Sequence, residues 1–268
     1  MEKHKQIKIN FLNVNKSFNN QDGGLEVIKN FSCSIGSNSF YTFLGPSGCG
    51  KTTLLNLIAG VTKVSGGSIV FENIGGSKKN KIINSPKIGY VFQDDRLLPW
   101  KSVKENLDVV MQTSMKSSIE RSKIIKQYLN LVGLATKENC FPGVLSGGER
   151  QRISFIRSLC INPDVILMDE PFSHLDEMTA TLLRSEVVRM WEKSKIMTIL
   201  VTHNIFEAIY LSDKIFVIGK TPLETFKEVN VNIPHPRNNI SFDEFVFLPE
   251  VKKIVMKIRK IMPNGKNT

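Results

Sequence analysis

Cysteine is scarce in this chain: Cys33, Cys49, Cys140 and Cys160 are the only four in 268 residues. None forms a CxxC pair, so neither a zinc site nor a redox couple of that spacing is available, and the four read as reduced thiols. No apolar run approaches the roughly 20 residues a membrane-spanning helix needs. The opening Met-Glu-Lys-His-Lys-Gln lacks the apolar stretch of a secretory signal, which leads to the expectation of a protein that stays in the cytosol. Internal repeats and low-complexity tracts are absent. Acid is in deficit, 25 Asp and Glu against 36 Lys and Arg, for a net charge of +11. Yet lysine is spread along the whole chain, with no dense basic run and no interleaved aromatics, so nucleic acid is not an expected partner. What remains, 41% hydrophobic and 23% charged, is ordinary globular composition in a chain long enough to bury a full core.

Short β-rich runs alternate with helical patterns, which predicts an α/β core. Strands are expected at 41–44, 88–92, 165–168, 196–201 and 214–218, and their near-continuous apolar character suits central strands covered on both faces. A helix is expected over 51–59, with Leu54, Leu55 and Ile58 on one face, and another over about 119–132. The expected organisation is one domain. Its core is formed by about 1–93 and 160–220, a helical subdomain by about 94–159, and a tail by about 221–268 that carries Pro222, Pro234 and Pro236. Near 250–261 the tail places Val251, Ile254, Val255, Ile258 and Ile261 on one helix face, ringed by Lys252, Lys253, Lys257, Arg259 and Lys260. Such a basic amphipathic helix can lie on an anionic membrane, but packing on its own domain is the expectation here.

Residues 45–53 read GPSGCGKTT between an expected strand and an expected helix, and satisfy the pattern G-x-x-x-x-G-K-[ST]. Gly45, Gly48 and Gly50 permit positive φ and place no Cβ in the way of phosphate oxygens. Successive backbone N–H groups can then point into one concavity, which Pro46, Ser47, Cys49, Thr52 and Thr53 line and the helix N-terminus reinforces. Lys51 is placed for the β- and γ-phosphates and Thr52 for Mg²⁺, so the loop is expected to bind ATP with Mg²⁺. The competing reading, a glycine turn with a chance Lys-Thr, does not account for this context.

At the end of the apolar run 165–168 come Asp169 and Glu170, where ligands bind in open α/β sheets. Asp169 is expected as an outer ligand of Mg²⁺ and Glu170 as the base or orienter of an attacking water. A second glycine motif, LSGGERQR, spans 145–152. Ser146 and Glu149 form a capping box, which leaves Gly147 and Gly148 unexplained, since each costs a first turn up to about 1 kcal/mol relative to Ala. Bare amides at a helix N-terminus make a second anion site.

With these motifs the sequence resembles the ATP-binding subunits of ABC transporters, from about Val14 to Ile218. LSGGERQR resembles the family's signature motif, VILMDEP its Walker B segment, GYVFQ its Q-loop at Gln93, Ser173-His174-Leu175-Asp176 its D-loop, and Val201-Thr202-His203 its switch histidine. Phe18 stands where an adenine-stacking aromatic is found. The resemblance implies a P-loop NTPase core of ABC type with a helical subdomain and an antiparallel β edge. It also implies a head-to-tail dimer with ATP between the phosphate loop of one copy and Ser146, Gly147, Gly148 and Glu149 of the other, near Asp176. By the same resemblance, Glu170, His203 and Gln93 serve hydrolysis, with Thr52, Gln93 and Asp169 at Mg²⁺. Leu97-Leu98-Pro99-Trp100 and Ile233-Pro234-His235-Pro236-Arg237 are similar to the nitrate/sulfonate/taurine importers. That subgroup implies transmembrane permease subunits, an extracytoplasmic solute-binding protein, and a peripheral place on the cytoplasmic side of the membrane. The large regulatory domain that some sugar importers carry is not expected in these 268 residues. A soluble ATPase acting on nucleic acid or ribosomes, and a nucleotide-gated module without turnover, are the alternatives. Departures from the family pattern are Phe155 where small residues are usual, His174 near the expected dimer seam, and Asn204 after the switch histidine in place of aspartate.

Overall fold

The computed structural model describes residues 5–20, 23–75, 81–83, 85–219 and 221–262. Ten strands and eight α-helices are found among them: β1 (Ile7–Asn20), β2 (Gly23–Ile35), β3 (Phe40–Leu44), α1 (Lys51–Ile58), β4 (Gly66–Asn73), β5 (Lys81–Ile83), β6 (Ile88–Val91), α2 (Val103–Met111), α3 (Ser118–Leu131), α4 (Gly147–Cys160), β7 (Val165–Asp169), α5 (Glu177–Ser194), β8 (Met197–Thr202), α6 (Ile205–Leu211), β9 (Lys214–Ile218), β10 (Phe226–Asn230), α7 (Phe242–Phe245) and α8 (Pro249–Ile261).

The central sheet runs β10-β9-β3-β8-β7-β6. Its five inner and far strands pair in parallel, and β10 closes one edge antiparallel to β9. The near-continuous apolar strands are explained by two cores, one on each face. In β3, Phe40 and Leu44 join one core while Tyr41 and Phe43 join the other. The same alternation divides Ile166 and Met168 from Val165 and Leu167 in β7, and Ile215 and Val217 from Phe216 and Ile218 in β9. This is the period of two that a pleated strand imposes. A second, antiparallel sheet, β2-β1-β4-β5, covers the face that also carries α1.

Helices α2 and α3 begin at serine caps, Ser102 in a full capping box and Ser117. Helix α4 packs on α2 and α3 and also lies on the parallel sheet: a Cβ on Gly89 of β6 would collide with the carbonyl oxygen of Ser158. Phe155, the bulky departure in this helix, is buried in the core that α4 shares with the sheet. The tail is also tied down. Val251, Val255 and Ile258 of α8 are buried in the same core, so its apolar face packs on the domain and leaves the basic residues outward.

The tail segment that carried only a subgroup resemblance proves to be a buried latch. The Arg237 guanidinium donates to the carbonyls of Ile209, Tyr210 and Ser212 at the end of α6, and to that of Ile233. Cations are favoured at a helix C-terminus because the last carbonyls are unpaired there. Burial lowers the Arg237 pKa to about 10, which keeps it charged at neutral pH. His235 sits between Glu192 at 3.0 Å and Asp213 at 3.1 Å.

Candidate functional site

The phosphate loop connects β3 to α1 at the C-terminal end of the sheet. Gly48 and Gly50 have φ of +79° and +93°, conformations that side chains resist. Gly45 is needed for a different reason, since a Cβ there would lie 2.9 Å from both the Cys49 Sγ and the Ile218 carbonyl oxygen. Pro46, Ser47, Gly48 and Thr52 are exposed, Thr53 is half-buried, and no acidic residue occupies the first turn of α1 to compete for its N-terminus. The Cys49 thiol is buried, and burial pushes its pKa up against the opposing pull of Lys51. Lys51 buries its stem and places Nζ 2.9 Å from the Gly45 oxygen, 2.7 Å from that of Pro46 and 3.8 Å from Glu170 Oε1. The tail braces this loop, because the Thr221 hydroxyl donates to the Gly48 carbonyl at 2.9 Å.

Next to the loop, Thr52 Oγ1 donates to Asp169 Oδ1 at 2.9 Å. Burial at the end of β7 pushes the Asp169 carboxyl above the usual carboxylate range, and the Thr52 bond partly offsets this. Glu170 has φ of +42°, a left-handed conformation that costs a non-glycine residue of order 1 kcal/mol. Its surroundings hold it there: its N–H donates to the Val201 oxygen, and its carbonyl accepts from the Ser173 N–H and hydroxyl. The strained turn aims the Glu170 carboxylate at Lys51 on one side and at His203 Nδ1, 2.9 Å away, on the other. The structure thus brings together Lys51, Thr52, Asp169, Glu170 and His203. Gln93 is exposed and is not bonded to Thr52 or Asp169; its amide donates to the Ser173 hydroxyl at 3.5 Å.

Around the second glycine motif the capping box is complete, with Ser146 and Glu149 bonded reciprocally, which holds the Glu149 carboxyl below its usual range. The two glycines differ. Gly147 is exposed and has room around it, whereas Gly148 is buried, and a Cβ there would lie 2.1 Å from Thr179 Cγ2. Gly148 is therefore not a bare exposed amide in the single chain but the point where α4 closes on α5. Asp176, expected near nucleotide, caps α5 and accepts from the N–H and hydroxyl of Thr179. No hydrogen bond or ion pair among the described residues joins 146–149 to the phosphate loop.

Phe18 is 38% exposed, with the Lys16 ammonium 4.6 Å from its ring centroid. It pairs with Leu25, two residues along β2 from Val27, whose side chain packs at Gly50. That register places the ring on the sheet that flanks the loop. Asn204 caps α6 through the N–H groups of Phe206 and Glu207, so the departure from aspartate keeps a helix cap. His174 is exposed, 3.8 Å from Asp94. Sequence reading missed the buried Arg184, which reaches Glu177 and Glu207, and the Thr202 hydroxyl, which donates to Glu207. A lone arginine in a helical pattern carries no local signal.

A glycine-cradled loop between a parallel strand and a helix, with an Asp-Glu pair at the end of another strand, defines a P-loop NTPase. Within that class the chain belongs to the ABC transporter family, whose model, described as ABC transporter, matches residues 28–173. It is 37% identical over 228 residues to the aliphatic sulfonates import ATP-binding protein SsuB of Bacillus thuringiensis, which covers 85% of this chain and 88% of that protein. An uncharacterized ABC transporter ATP-binding protein of Methanocaldococcus jannaschii is 34% identical over 252 residues, 93% of this chain and 91% of that protein. Among solved structures, a dimeric ATP-binding cassette in a post-hydrolysis state bound to ADP and Pi superposes with a TM-score of 0.72 at 28% identity, covering 84% of this chain and 100% of that chain. The chain is an ABC-type ATPase of a transporter.

Proposed function

We propose that two copies of this chain close head to tail around ATP and power the import of a small solute of the sulfonate class through a partner permease. The observation that supports the dimer is the division of the site: the phosphate loop and the helix start at Ser146 and Gly147 each suit an anion, yet no hydrogen bond or ion pair joins them among the described residues. Each copy supplies one half of two composite sites. In each, Phe18 offers a face for adenine and the amides of 45–53 cradle the phosphates. Lys51 meets the β- and γ-phosphates, while Glu170 takes the proton of a water that His203 helps hold in line. Ser146 and the Gly147 amide of the other copy face the γ-phosphate, with its Asp176 nearby. Catalysis of this kind is mostly positioning and electrostatics.

Mg²⁺ fits the residues present. Thr52 and Asp169 already converge at 2.9 Å, and no cluster of three His, Cys, Asp or Glu exists among the described residues to demand a different ion. Magnesium keeps waters and phosphate oxygens as its remaining ligands. Bound there, it would neutralise charge on the β- and γ-phosphates. Gln93 would approach it only after leaving Ser173.

The arm toward the permease is 94–159, which carries the exposed apolar side chains Trp100, Phe141 and Val144. Among the described residues no helix is long and apolar enough to cross a membrane, which suits a peripheral subunit on the cytoplasmic side, with a solute-binding protein serving the permease from the far side. The sulfonate class is supported by the relative named for sulfonate import.

Two measurements test this. ATP turnover per subunit is expected to rise with protein concentration and then level off as dimers form; constant turnover in a demonstrably monomeric sample overturns the composite site. Cells lacking this chain are expected to lose uptake of short alkanesulfonates, and unchanged uptake overturns the substrate class while leaving the ATPase intact.

A further inference from the structure

Arg184 is a charged side chain only 3% exposed, and no step of hydrolysis uses it directly. Its guanidinium is forked between two helices. From α5, Nη1 donates to Glu177 Oε1 at 2.8 Å and Thr181 Oγ1 at 3.4 Å, while Nη2 reaches Glu207 Oε1 of α6 at 3.0 Å. The rings of Phe242 and Phe172 pack over it, 4.2 Å and 5.6 Å from the guanidinium carbon. A buried cation held this way is costly unless both partners stay in place.

The other oxygen of Glu207 completes the connection. Oε2 accepts from the Thr202 hydroxyl at 2.8 Å, and the same hydroxyl accepts from the N–H of Asn204 at 3.1 Å. The residues on both sides of His203 are therefore pinned to one hydroxyl, and that hydroxyl is pinned to Glu207 and through it to Arg184. At the opposite end, Glu177 directly follows Asp176, the cap that ends the 173–176 turn. The Glu177 end is 71% exposed and screened, so the stiff part of the chain is the inner one, Arg184–Glu207–Thr202.

We infer that Arg184 is a positioning residue for hydrolysis: through Glu207 and Thr202 it sets the orientation of His203 toward Glu170. The inference rests on the reading of Glu170 and His203 as the hydrolytic pair. A rotation of the His203 peptide displaces a ring nitrogen that sits 2.9 Å from Glu170, and displacements of about 1 Å in a catalytic group cost up to roughly 100-fold in rate. ATP binding at the phosphate loop does not pass through this chain of bonds.

The test is a double-mutant cycle on the full chain, with turnover normalised to titrated nucleotide-binding sites so that loss of folded protein does not count. Arg184→Met and Glu207→Gln are each expected to lower kcat about tenfold or more, with the KM for ATP within about twofold. The double variant is expected to be no slower than the slower single, because both act on one connection. Losses that multiply, a KM that rises in step, or an unchanged kcat overturn the inference. If Arg184→Met does not fold, Thr202→Val, which exchanges the hydroxyl for a methyl group at nearly constant volume, is expected to show the same fall in kcat at unchanged KM; an unchanged kcat there overturns it equally. His203→Ala run in parallel separates the two claims. Retained turnover in that variant removes the hydrolytic pair itself, whereas lost turnover there with normal Arg184 and Glu207 variants removes only the positioning role.

Discussion

Glu170→Gln is expected to leave ATP bound and to cut turnover by about 10²- to 10⁴-fold, the usual contribution of a positioned general base. Glutamine has the same shape and keeps the main-chain bonds that hold position 170 at a φ of +42°, namely the N–H to Val201 and the carbonyl to Ser173. It also keeps an oxygen or amide toward His203, 2.9 Å away in the native site. What it loses is the ability to accept the proton of the attacking water. On the proposed reading it also removes a negative charge from the side of the γ-phosphate, so the ATP-bound state is expected to be stabilised while its decay is slowed. The expected result is a long-lived dimer in ATP by size-exclusion chromatography, with little phosphate release in a single-turnover assay. Unchanged turnover would remove Glu170 as the base.

Lys51→Met is expected to act at the earlier step. The Lys51 stem is buried and its ammonium already bridges the Gly45 and Pro46 carbonyls, so the unbranched Met fills the same channel without the charge. Hydrogen bonds to charged groups contribute about 1.5–3 kcal/mol, which converts to roughly 10- to 100-fold weaker ATP binding. Turnover is expected to fall further, by about 10²- to 10³-fold, because the same ammonium stabilises charge that develops on the γ-phosphate. Calorimetric titration with ATP reads the first effect and phosphate release the second. ATP affinity equal to that of the native chain would sink the assignment of Lys51 to the phosphates. The two variants thus separate along the cycle, one defective in both binding and the chemical step and the other in the chemical step alone.

The parts of this protein that were legible in its sequence are those governed by neighbours along the chain. The loop 45–53 announces itself because positive φ at Gly48 and Gly50 and a following helix are local requirements. The capping box at Ser146 and Glu149 is a bond across three residues. Strands β3, β7, β8 and β9 stood out as continuous apolar runs because each has a core on both faces. Helix α8 showed its buried stripe by a period that a helix imposes. Boundaries moved by a residue or so, as when β7 extends to include Asp169.

Other features had no local signal. Gly148 reads as a bare amide until α5 is placed against it, 31 residues later in the chain at Thr179. The Ile233–Arg237 stretch, similar to a subgroup pattern, gave no hint that Arg237 would close the end of α6. Helix α4 reads as part of a helical insertion, and it does pack on α2 and α3; its second contact, with the sheet at Gly89, has no local signal.

By itself, then, the sequence determined an α/β chain with a phosphate-loop motif, an Asp-Glu pair at a strand end and a capped helix start at Ser146, since turn chemistry, capping and hydrophobic period are all set within a few residues. Only the tertiary structure decided that Thr52 meets Asp169 across 117 residues, that Glu170 is turned into the left-handed region toward His203, and that Arg184 reaches Thr202, the neighbour of His203, through Glu207. Those contacts depend on which strands lie side by side and which helices close over them, and that order is a property of the packed sheet rather than of any window of the chain.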